Sequence, residues 1–326
     1  MVKDTNELIK SDISNAALDE LKSSGIQNVH VFGRRGPAQA TWTSKELREL
    51  LYKIPNVDVM IDENDMKLSR MDEEELELEE KRVNKKCFQL LYDKYIESKT
   101  NAGLNCDKKS IAFHFKVTPI ESILNEPQNM LKQVVFARNI LKGEMGQQKS
   151  EMINPIQELR VNLGLCFSSI GSDVDLDGLL NKTVENFEAL EMDFLTRGLK
   201  NYKGRLFSYE NGTECFFDPS SKWNAVYAAG WLKRGAHGII GTNKWCAEET
   251  IESIKQDVSD GIVQSKNGSG SALIDILKMR EVQWIDWNGW KRIDEFEVRQ
   301  GRRVGRPRQK VLHISEMLTI AGQPSL

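Results

Sequence analysis

The sequence has no apolar stretch that approaches the ~20 residues a membrane-spanning helix needs. It also lacks an excess of one charge, because 45 Lys and Arg residues stand against 48 Asp and Glu residues. The resulting net charge of −3 argues against a whole-protein electrostatic attraction to nucleic acid. Hydrophobic residues make up 40%, which is more than a disordered chain contains. We therefore expect a soluble globular chain whose 326 residues are enough for two domains.

Cysteine and histidine are sparse and scattered. None of the five cysteines forms a CxxC pair, and no two of the four histidines stand at the helical spacing of a metal site. We expect reduced thiols, no disulfide framework and no metal site. The first ten residues, MVKDTNELIK, contain acids and no apolar core, so we also expect no secretory or organellar leader in this chain.

The first apolar run of the chain predicts a buried parallel strand. Residues 11–25 have helical spacing, and the run NVHVF that follows closes on Gly33 and Gly36. The carboxyl end of such a strand is where α/β sheets bind ligands. The next segment, TSKELRELLYKI, predicts a helix with Thr43 or Ser44 as its N-cap and Glu46 in the capping arrangement.

Further predictions describe the middle of the chain. Residues 72–97 change from a block of acids to a block of bases and predict one long helix. Ion pairs between residues four apart, such as Glu77 and Lys81, would stabilise it. Residues 111–141 predict two or three strands, and the apolar run at 163–171 predicts another central strand. We place the domain boundary after that run, which predicts domains at 1–171 and 172–326.

The second half has different local patterns. Residues 205–210 predict a strand, the pair Asn211–Gly212 a hairpin turn, and residues 247–258 a helix. The segment KNGSGS at 266–271 predicts a flexible linker, and the chain closes with a basic loop and a final helix.

The motif GRRGP at residues 33–37 follows the predicted buried strand. Arg34 and Arg35 are adjacent, and an arginine pair at the carboxyl edge of an α/β sheet can bind the 2′-phosphate that distinguishes NADP from NAD. The alternative is a plain surface turn with two solvated arginines.

A second motif, GWLKRGAHGIIGTN, occupies residues 230–243. Four glycines in twelve residues permit a close backbone approach to a flat or anionic group, since glycine has no Cβ. The order of strand, glycine turn and helix would expose helix amino-terminal amides to such a group. The alternative is a glycine-rich corner beside a buried tryptophan.

Six segments in this order resemble the adrenodoxin reductase family, the mitochondrial-type NADPH:ferredoxin reductases. They are VFGRRGPAQATWTSKELREL, FHFKVTPIESIL, LCFSSIG, AAGWLKRGAHGIIGTN, SALIDILKMR and GRPRQKVL followed after one residue by ISEMLTIAG. The resemblance runs from about residue 15 to the carboxyl end, and the segments near 66–80, 172–196 and 208–222 look inserted. It implies a partial α/β fold of the glutathione-reductase type, with a partial NADP-binding domain at 1–171 and the later part of an FAD-binding domain at 172–326.

The resemblance also implies function. Family members pass a hydride from NADPH to FAD and single electrons to a [2Fe-2S] ferredoxin, so no side-chain general base is required. Arg34 and Arg35 would hold the 2′-phosphate of NADP, and Glu46 would contact NADP as well. Trp231 would lie beside the FAD. Gly238, Ile239 and Ile240 would offer backbone contacts to the flavin, with Gly238 also near the nicotinamide. A mitochondrial location is implied by the family alone.

The sequence departs from the family in its glycine-rich turns. Neither the GxGPAG-type turn for the FAD pyrophosphate nor the GxGxxA-type turn for NADP occurs, and Gly268-Ser269-Gly270 lies in a linker. Two alternatives therefore stay open. One is a remnant without catalysis that binds a nucleotide or a partner. The other is a general pyridine-nucleotide flavoenzyme such as the reductase part of glutamate synthase, whose iron-sulfur cysteine clusters are absent here.

Basic residues suggest two surfaces. In the family, a positive surface in this region faces an acidic ferredoxin, and its counterpart here comprises Arg48, Lys81, Arg82, Lys85 and Lys86. An ordinary solvated helix is the favoured interpretation, because acids crowd the same segment. The arginines at 302–308 resemble a nucleic-acid patch only superficially, and we expect an ordinary basic loop without a nucleic-acid partner.

Overall fold

The computed structural model describes most of the chain, in two units. The described residues are 1–100, 108–171, 192–193, 197–206, 208–210, 213–215, 226–236, 238–263 and 270–322. One unit comprises Met1–Cys166 together with Gln283–Leu326, and the other comprises Phe167–Val282. The chain therefore divides after residue 166, and residues 283–326, which were predicted in the second domain, group with the amino-terminal unit. The assignment of each domain to a nucleotide stays a prediction.

A three-stranded parallel sheet forms the centre of the first unit. Its strands are β1 (Asn28–Phe32), β2 (Val57–Ile61) and β3 (Lys109–His114), in the order β1-β3-β2. Both neighbouring pairs are parallel, which confirms a parallel strand at β1. The predicted burial is not met, because β1 is an edge strand whose residues are exposed or partly buried. Parallel strands need crossover connections, and α3 (Ser44–Tyr52) and α6 (Arg82–Thr100) supply helices for them.

Local sequence fixes the first helices. Two short ones, α1 (Thr5–Leu8) and α2 (Asn15–Ser23), precede β1. The start of α3 is a complete capping box, in which Thr43 and Glu46 each accept from the other's backbone amide. This confirms Thr43 as the N-cap. Leu47 and Leu51 are buried on one side of α3, so the helix that begins at this cap packs that side on the sheet.

The single long helix predicted over residues 72–97 is wrong. The chain instead forms α4 (Glu63–Met66), α5 (Arg70–Leu76), a 3₁₀ turn (Glu79–Lys81) and α6. Leu78 is extended and breaks the helix. Like charges four apart destabilise a continuous helix, and the acids of this block have better partners elsewhere.

The ion pairs around this break differ from the predicted ones. Glu77 pairs with Lys85 at 2.7 Å, and Lys81 pairs with the buried Glu75 at 2.8 Å. The predicted pair of Glu77 with Lys81 is therefore wrong, because the break between α5 and α6 removes the helical spacing on which it depended.

An antiparallel sheet follows β3 and confirms the strands predicted over 111–141. Its strands are β4 (Val117–Asn125), β5 (Met130–Lys142), β6 (Lys149–Met152) and β7 (Glu158–Asn162). The long β5 pairs with each of the other three. Its apolar residues, among them Val134 and Phe136, form a second core cluster with Val117.

The central strand predicted at residues 163–171 is wrong. β7 ends at Asn162, and no strand is assigned over the nine residues that follow. Most side chains of this run are exposed, with Phe167 67% and Ile170 86% exposed, although Leu163 packs against the core of the antiparallel sheet. An apolar run becomes a strand only where another strand pairs with it, and periodicity does not reveal that partner.

In its described residues, the second unit contains short hairpins and three helices. The strand pairs are β8 (Met192–Asp193) with β9 (Gly198–Leu199), β10 (Asn201–Tyr202) with β11 (Arg205–Leu206), and β12 (Ser208–Glu210) with β13 (Thr213–Cys215). The helices are α7 (Trp231–Arg234), α8 (Ile240–Ser259) and α9 (Gly270–Met279). A small core of Leu199, Leu206 and Ala228 packs the first two of these strand pairs together.

Four predictions fall on this unit. The strand predicted at 205–210 appears as β11 and β12, with residue 207 outside the described residues. The helix predicted at 247–258 is confirmed within α8, which begins seven residues earlier than predicted. The Asn211–Gly212 turn lies outside the described residues. So does most of the predicted linker, whose last two residues belong to α9.

The carboxyl-terminal segment forms α10 (Trp287–Arg303) and α11 (Ile314–Ile320) in the first unit. Arg306 between them is buried and donates hydrogen bonds to the backbone oxygens of Ser11 and Ile13. Arg308 pairs with Glu297 and Asp294 at 2.9 and 2.8 Å. These two arginines serve contacts within the unit, which agrees with an ordinary basic loop.

Among the residues that the structure describes, none of the helices combines the length and the hydropathy that a membrane span requires.

Candidate functional site

The GRRGP turn begins where β1 ends and is held by backbone hydrogen bonds. The amide of Gly33 donates to the carbonyl of His114 at 2.8 Å, which extends the β1-β3 pairing by one residue. The carbonyl of Gly33 accepts from Val117 at 3.1 Å, and that of Arg35 accepts from Lys116 at 3.1 Å. The turn is therefore fixed against the connection between β3 and β4, at the carboxyl edge of the parallel sheet.

The two arginine side chains of this turn are exposed. In the described part of the chain, no hydrogen bond or ion pair engages the guanidinium group of Arg34 or Arg35. Both cations are thus available to an anion, and a rigid turn lowers the entropy lost when they bind it. This arrangement is what a phosphate-binding pair needs.

Glu46 has a structural partner already. Its carboxylate accepts from the Thr43 hydroxyl at 2.7 Å, and its backbone amide donates to the same hydroxyl at 3.2 Å. The side chain is exposed, so a cofactor could still reach the second face of the carboxylate. The predicted contact of Glu46 with NADP stays a prediction.

A buried polar cluster lies under the turn. A Cβ on Gly36 would come within 2.9 Å of Gln39 Oε1. Gln39 cannot easily move away, because its Nε2 donates to buried carboxylates of Asp72 at 2.7 Å and Glu75 at 3.2 Å. Lys81 balances part of this charge through Glu75. The acidic run 72–80, which sequence reasoning assigned to a solvated face, therefore supports the turn with two of its acids.

A pair of histidines lies on neighbouring strands just before the turn. Nδ1 of His30 and Nε2 of His114 are 3.0 Å apart, and Phe32 stacks on the ring of His114. Burial, His30 and Arg138 together lower the pKa of His114 to about 4. Burial also raises the pKa of the neighbouring Asp65, against a 2.7 Å hydrogen bond from Arg138. Neutral imidazoles therefore form this layer at pH 7.

The second motif forms a glycine turn, the short helix α7 and the start of α8. Trp231 is 54% exposed, and Gly238, Ile239 and Ile240 are exposed at the amino terminus of the 20-residue α8. Gly238 has a φ of 92°, which disfavours any residue with a side chain. A flat or anionic group could therefore approach these amides closely. His237, within the same motif, lies outside the described residues.

Lys233 fixes α7 onto α8, which sequence reasoning missed. Its buried ammonium group donates to the carbonyl of Cys246 at 3.2 Å, to Glu249 at 2.6 Å and to the hydroxyl of Thr250 at 3.1 Å. A lysine beside an arginine in a glycine-rich motif suggests a solvated cation, so the sequence offered no signal of this burial.

The predicted site residues fall into two local groups, one in each unit. Arg34, Arg35 and Glu46 lie in the first unit, and Trp231, Gly238, Ile239 and Ile240 lie in the second. The first group offers cations beside a sheet edge. The second offers an exposed aromatic ring and helix amides. Among the described residues of the two groups, none pairs a nucleophile with a base.

The basic segment predicted to face a ferredoxin is partly neutralised. Lys81 and Lys85 form ion pairs with Glu75 and Glu77. This leaves Arg48, Arg82 and Lys86 as exposed cations on α3 and α6. The pairing agrees with the favoured interpretation of an ordinary solvated helix face.

Comparison with known proteins supplies relatives over nearly the whole chain. The mitochondrial NADPH:adrenodoxin oxidoreductase of Arabidopsis thaliana is 32% identical over 323 residues, which cover 98% of this chain and 62% of the relative. The NADPH-ferredoxin reductase FprA of Mycobacterium tuberculosis is 28% identical over 327 residues, with 98% and 63% covered. No protein-family model matches. The chain thus spans less than two thirds of the length of these relatives.

A solved structure, Mycobacterium tuberculosis FprA in complex with NADPH, matches with a TM-score of 0.75 and 27% identity. The match covers 98% of this chain and 63% of the FprA chain. These findings confirm the resemblance drawn from the six segments and the predicted fold class.

Proposed function

We propose that this homologue of the NADPH:adrenodoxin oxidoreductases carries nucleotide sites of a ferredoxin reductase. In this proposal NADPH is the electron donor, FAD is the intermediate carrier and a [2Fe-2S] ferredoxin is the acceptor. Support comes from the names of the relatives, which include adrenodoxin and ferredoxin reductases, and from one local feature of the structure.

That feature is the arginine turn. Arg34 and Arg35 have no partner in the described part of the chain, lie at the carboxyl edge of a parallel sheet and emerge from a backbone fixed by hydrogen bonds. Open α/β sheets bind nucleotides at this edge, and arginines there select the 2′-phosphate of NADP. This observation carries the proposal that the first unit binds NADPH.

The flavin is assigned to the second unit. The exposed ring of Trp231 and the exposed amides of Gly238, Ile239 and Ile240 are suited to a flat, hydrogen-bonding ring system. Bound FAD would supply the conversion of a two-electron donor into one-electron deliveries. In the proposal these residues orient the ring, and Lys233 holds their turn against α8.

The proposal also covers the electron acceptor and the location. An acidic ferredoxin would meet the exposed cations Arg48, Arg82 and Lys86, and such an encounter would weaken as salt increases. A mitochondrial location is proposed from the Arabidopsis relative, whereas the FprA relatives are bacterial.

The test combines the purified chain with FAD, NADPH and a [2Fe-2S] ferredoxin. Flavin that stays with the chain through gel filtration, together with NADPH-dependent ferredoxin reduction, would support the full proposal. Binding of NADPH without retained flavin or reduction would favour the alternative of a nucleotide-binding remnant. No binding of either nucleotide would contradict both.

A further inference from the structure

We propose that Asn139 is a positioning residue that orients the arginine pair toward the 2′-phosphate. This inference rests on the proposed function, since it assumes that Arg34 and Arg35 bind that phosphate. Nothing in the sequence pointed to Asn139, which interrupts the apolar run of β5.

Asn139 connects β5 to the turn through its side chain. It is 4% exposed, and its Nδ2 donates to the carbonyl of Arg34 at 3.0 Å and to the hydroxyl of Thr118 at 2.9 Å. Its backbone amide donates to the carbonyl of Lys116 at 2.7 Å, which fixes the main chain of β5 beside the turn. The side chain therefore reaches the turn from a rigid base.

Three consecutive carbonyls of the turn are each held by a different donor. Backbone amides hold those of Gly33 and Arg35, whereas a side chain holds the carbonyl of Arg34. That carbonyl belongs to the peptide unit between the two arginines. Rotation of this peptide unit would change the directions in which both side chains leave the backbone, so its orientation sets whether both can meet one phosphate.

The unpaired side-chain oxygen of Asn139 also indicates a role other than stability. Its Oδ1 is buried and has no hydrogen-bond partner among the described residues. A buried carbonyl without a partner destabilises a fold, and an apolar side chain would avoid that loss. Natural proteins retain such unpaired buried polar atoms mainly at functional sites.

The experiment measures binding of adenosine 2′,5′-bisphosphate and of adenosine 5′-monophosphate to the full chain by calorimetry. The ratio of the two affinities reports the 2′-phosphate alone and needs no flavin. Asn139→Ala is expected to lower this ratio about threefold to tenfold, the effect of one lost hydrogen bond, with little change in monophosphate binding. Thr118→Val is the matched control, because it removes the other partner of the same amide and should leave the ratio unchanged.

A double variant tests whether Asn139 acts through the arginines. If it does, adding Asn139→Ala to Arg34→Ala should lower the ratio no further. Thermal melts accompany each variant, and Asn139→Ser, whose hydroxyl is too short to reach the carbonyl, repeats the test should the alanine variant be unfolded.

The outcomes are distinct. A ratio unchanged in folded Asn139→Ala, or loss of the folded state in both Asn139 variants, would overturn the positioning role and leave the proposed function standing. A wild-type chain with no preference for the bisphosphate would overturn both, because the phosphate site itself would be absent.

Discussion

Gly238 combines two constraints, a positive φ and a crowded neighbour. Its φ of 92° suits glycine alone, and a Cβ there would lie 2.8 Å from Nη1 of Arg234. Trp231, in contrast, has no such constraint and is half exposed. The two residues assigned to the flavin therefore differ in how safely they can be changed.

We predict that Gly238→Val lowers the melting temperature, because the valine backbone is strained and its side chain displaces Arg234. Trp231→Leu should leave the melting temperature nearly unchanged and should reduce flavin binding. Thermal melts and flavin fluorescence titration measure both effects. Normal flavin binding by a folded Trp231→Leu variant would remove this tryptophan from the proposed site.

A second prediction concerns pH and His114. The pKa of His114 in the folded protein, about 4, lies below its ordinary value of 6.5, so the unfolded chain binds more protons between these values. The contribution of neutral His114 to the free energy of unfolding should therefore be fully present above pH 6.5. It should decrease by up to about 3 kcal/mol as the pH falls toward 4. Burial lowers the pKa of His30 and adds to this loss, while the raised pKa of Asp65 opposes it.

Urea unfolding at several pH values between 4 and 8 measures this dependence. His114→Phe keeps an aromatic ring against Phe32 and should flatten the curve over this range. A wild-type stability that is independent of pH over the same range would contradict a neutral buried His114.

At the scale of the elements, the start of α3 links stability to the site. Thr43 and Glu46 close the same capping box, and Glu46 is also predicted to contact NADP. We predict that Thr43→Ala and Glu46→Ala each lower the free energy of unfolding by about 1 kcal/mol, because each removes half of the cap. Only Glu46→Ala should weaken NADPH binding.

Chemical denaturation and NADPH titration of the two variants separate these roles. Thr43→Ala serves as the control for lost helix stability. Equal NADPH affinities in the two variants would leave Glu46 with a capping role alone.

The elements also show what the sequence could predict. β1, α3 and α8 follow from local signals, namely an apolar run before glycine, a Thr-x-x-Glu cap and helical spacing. The break between α5 and α6 does not, because it depends on Asp72 and Glu75 reaching Gln39 from a different part of the chain. The missing strand at 163–171 likewise depends on a pairing partner that no local pattern encodes.

In the candidate site, too, some residues have a local sequence signal and others do not. Arg34 and Arg35 were predicted from their place after a strand, and the structure finds them exposed on a fixed turn. Asn139 and Lys233 were missed, since a single polar residue in a strand and a lysine in a basic motif carry no local signal. Long-range contacts define both roles.

At the scale of the whole molecule, the chain covers 62% of the length of the Arabidopsis relative and contains two units. The predicted residues for NADP lie in one unit, and those for FAD lie in the other. Binding of each nucleotide can therefore be measured separately. The arginine turn lies entirely within the first unit, so its effect on NADPH binding can be measured without retained flavin.

The central claim is that Arg34 and Arg35 select NADPH, and the ratio of NADPH to NADH affinities tests it most directly. Calorimetry on the wild-type chain should show a clear preference for NADPH. The Arg34→Ala/Arg35→Ala variant should lose at least tenfold of that preference, because each charge-assisted contact contributes about 1.5–3 kcal/mol. Arg302→Ala, an exposed arginine elsewhere in the same unit, should change nothing. An equal ratio in the wild type and the double variant would contradict the account.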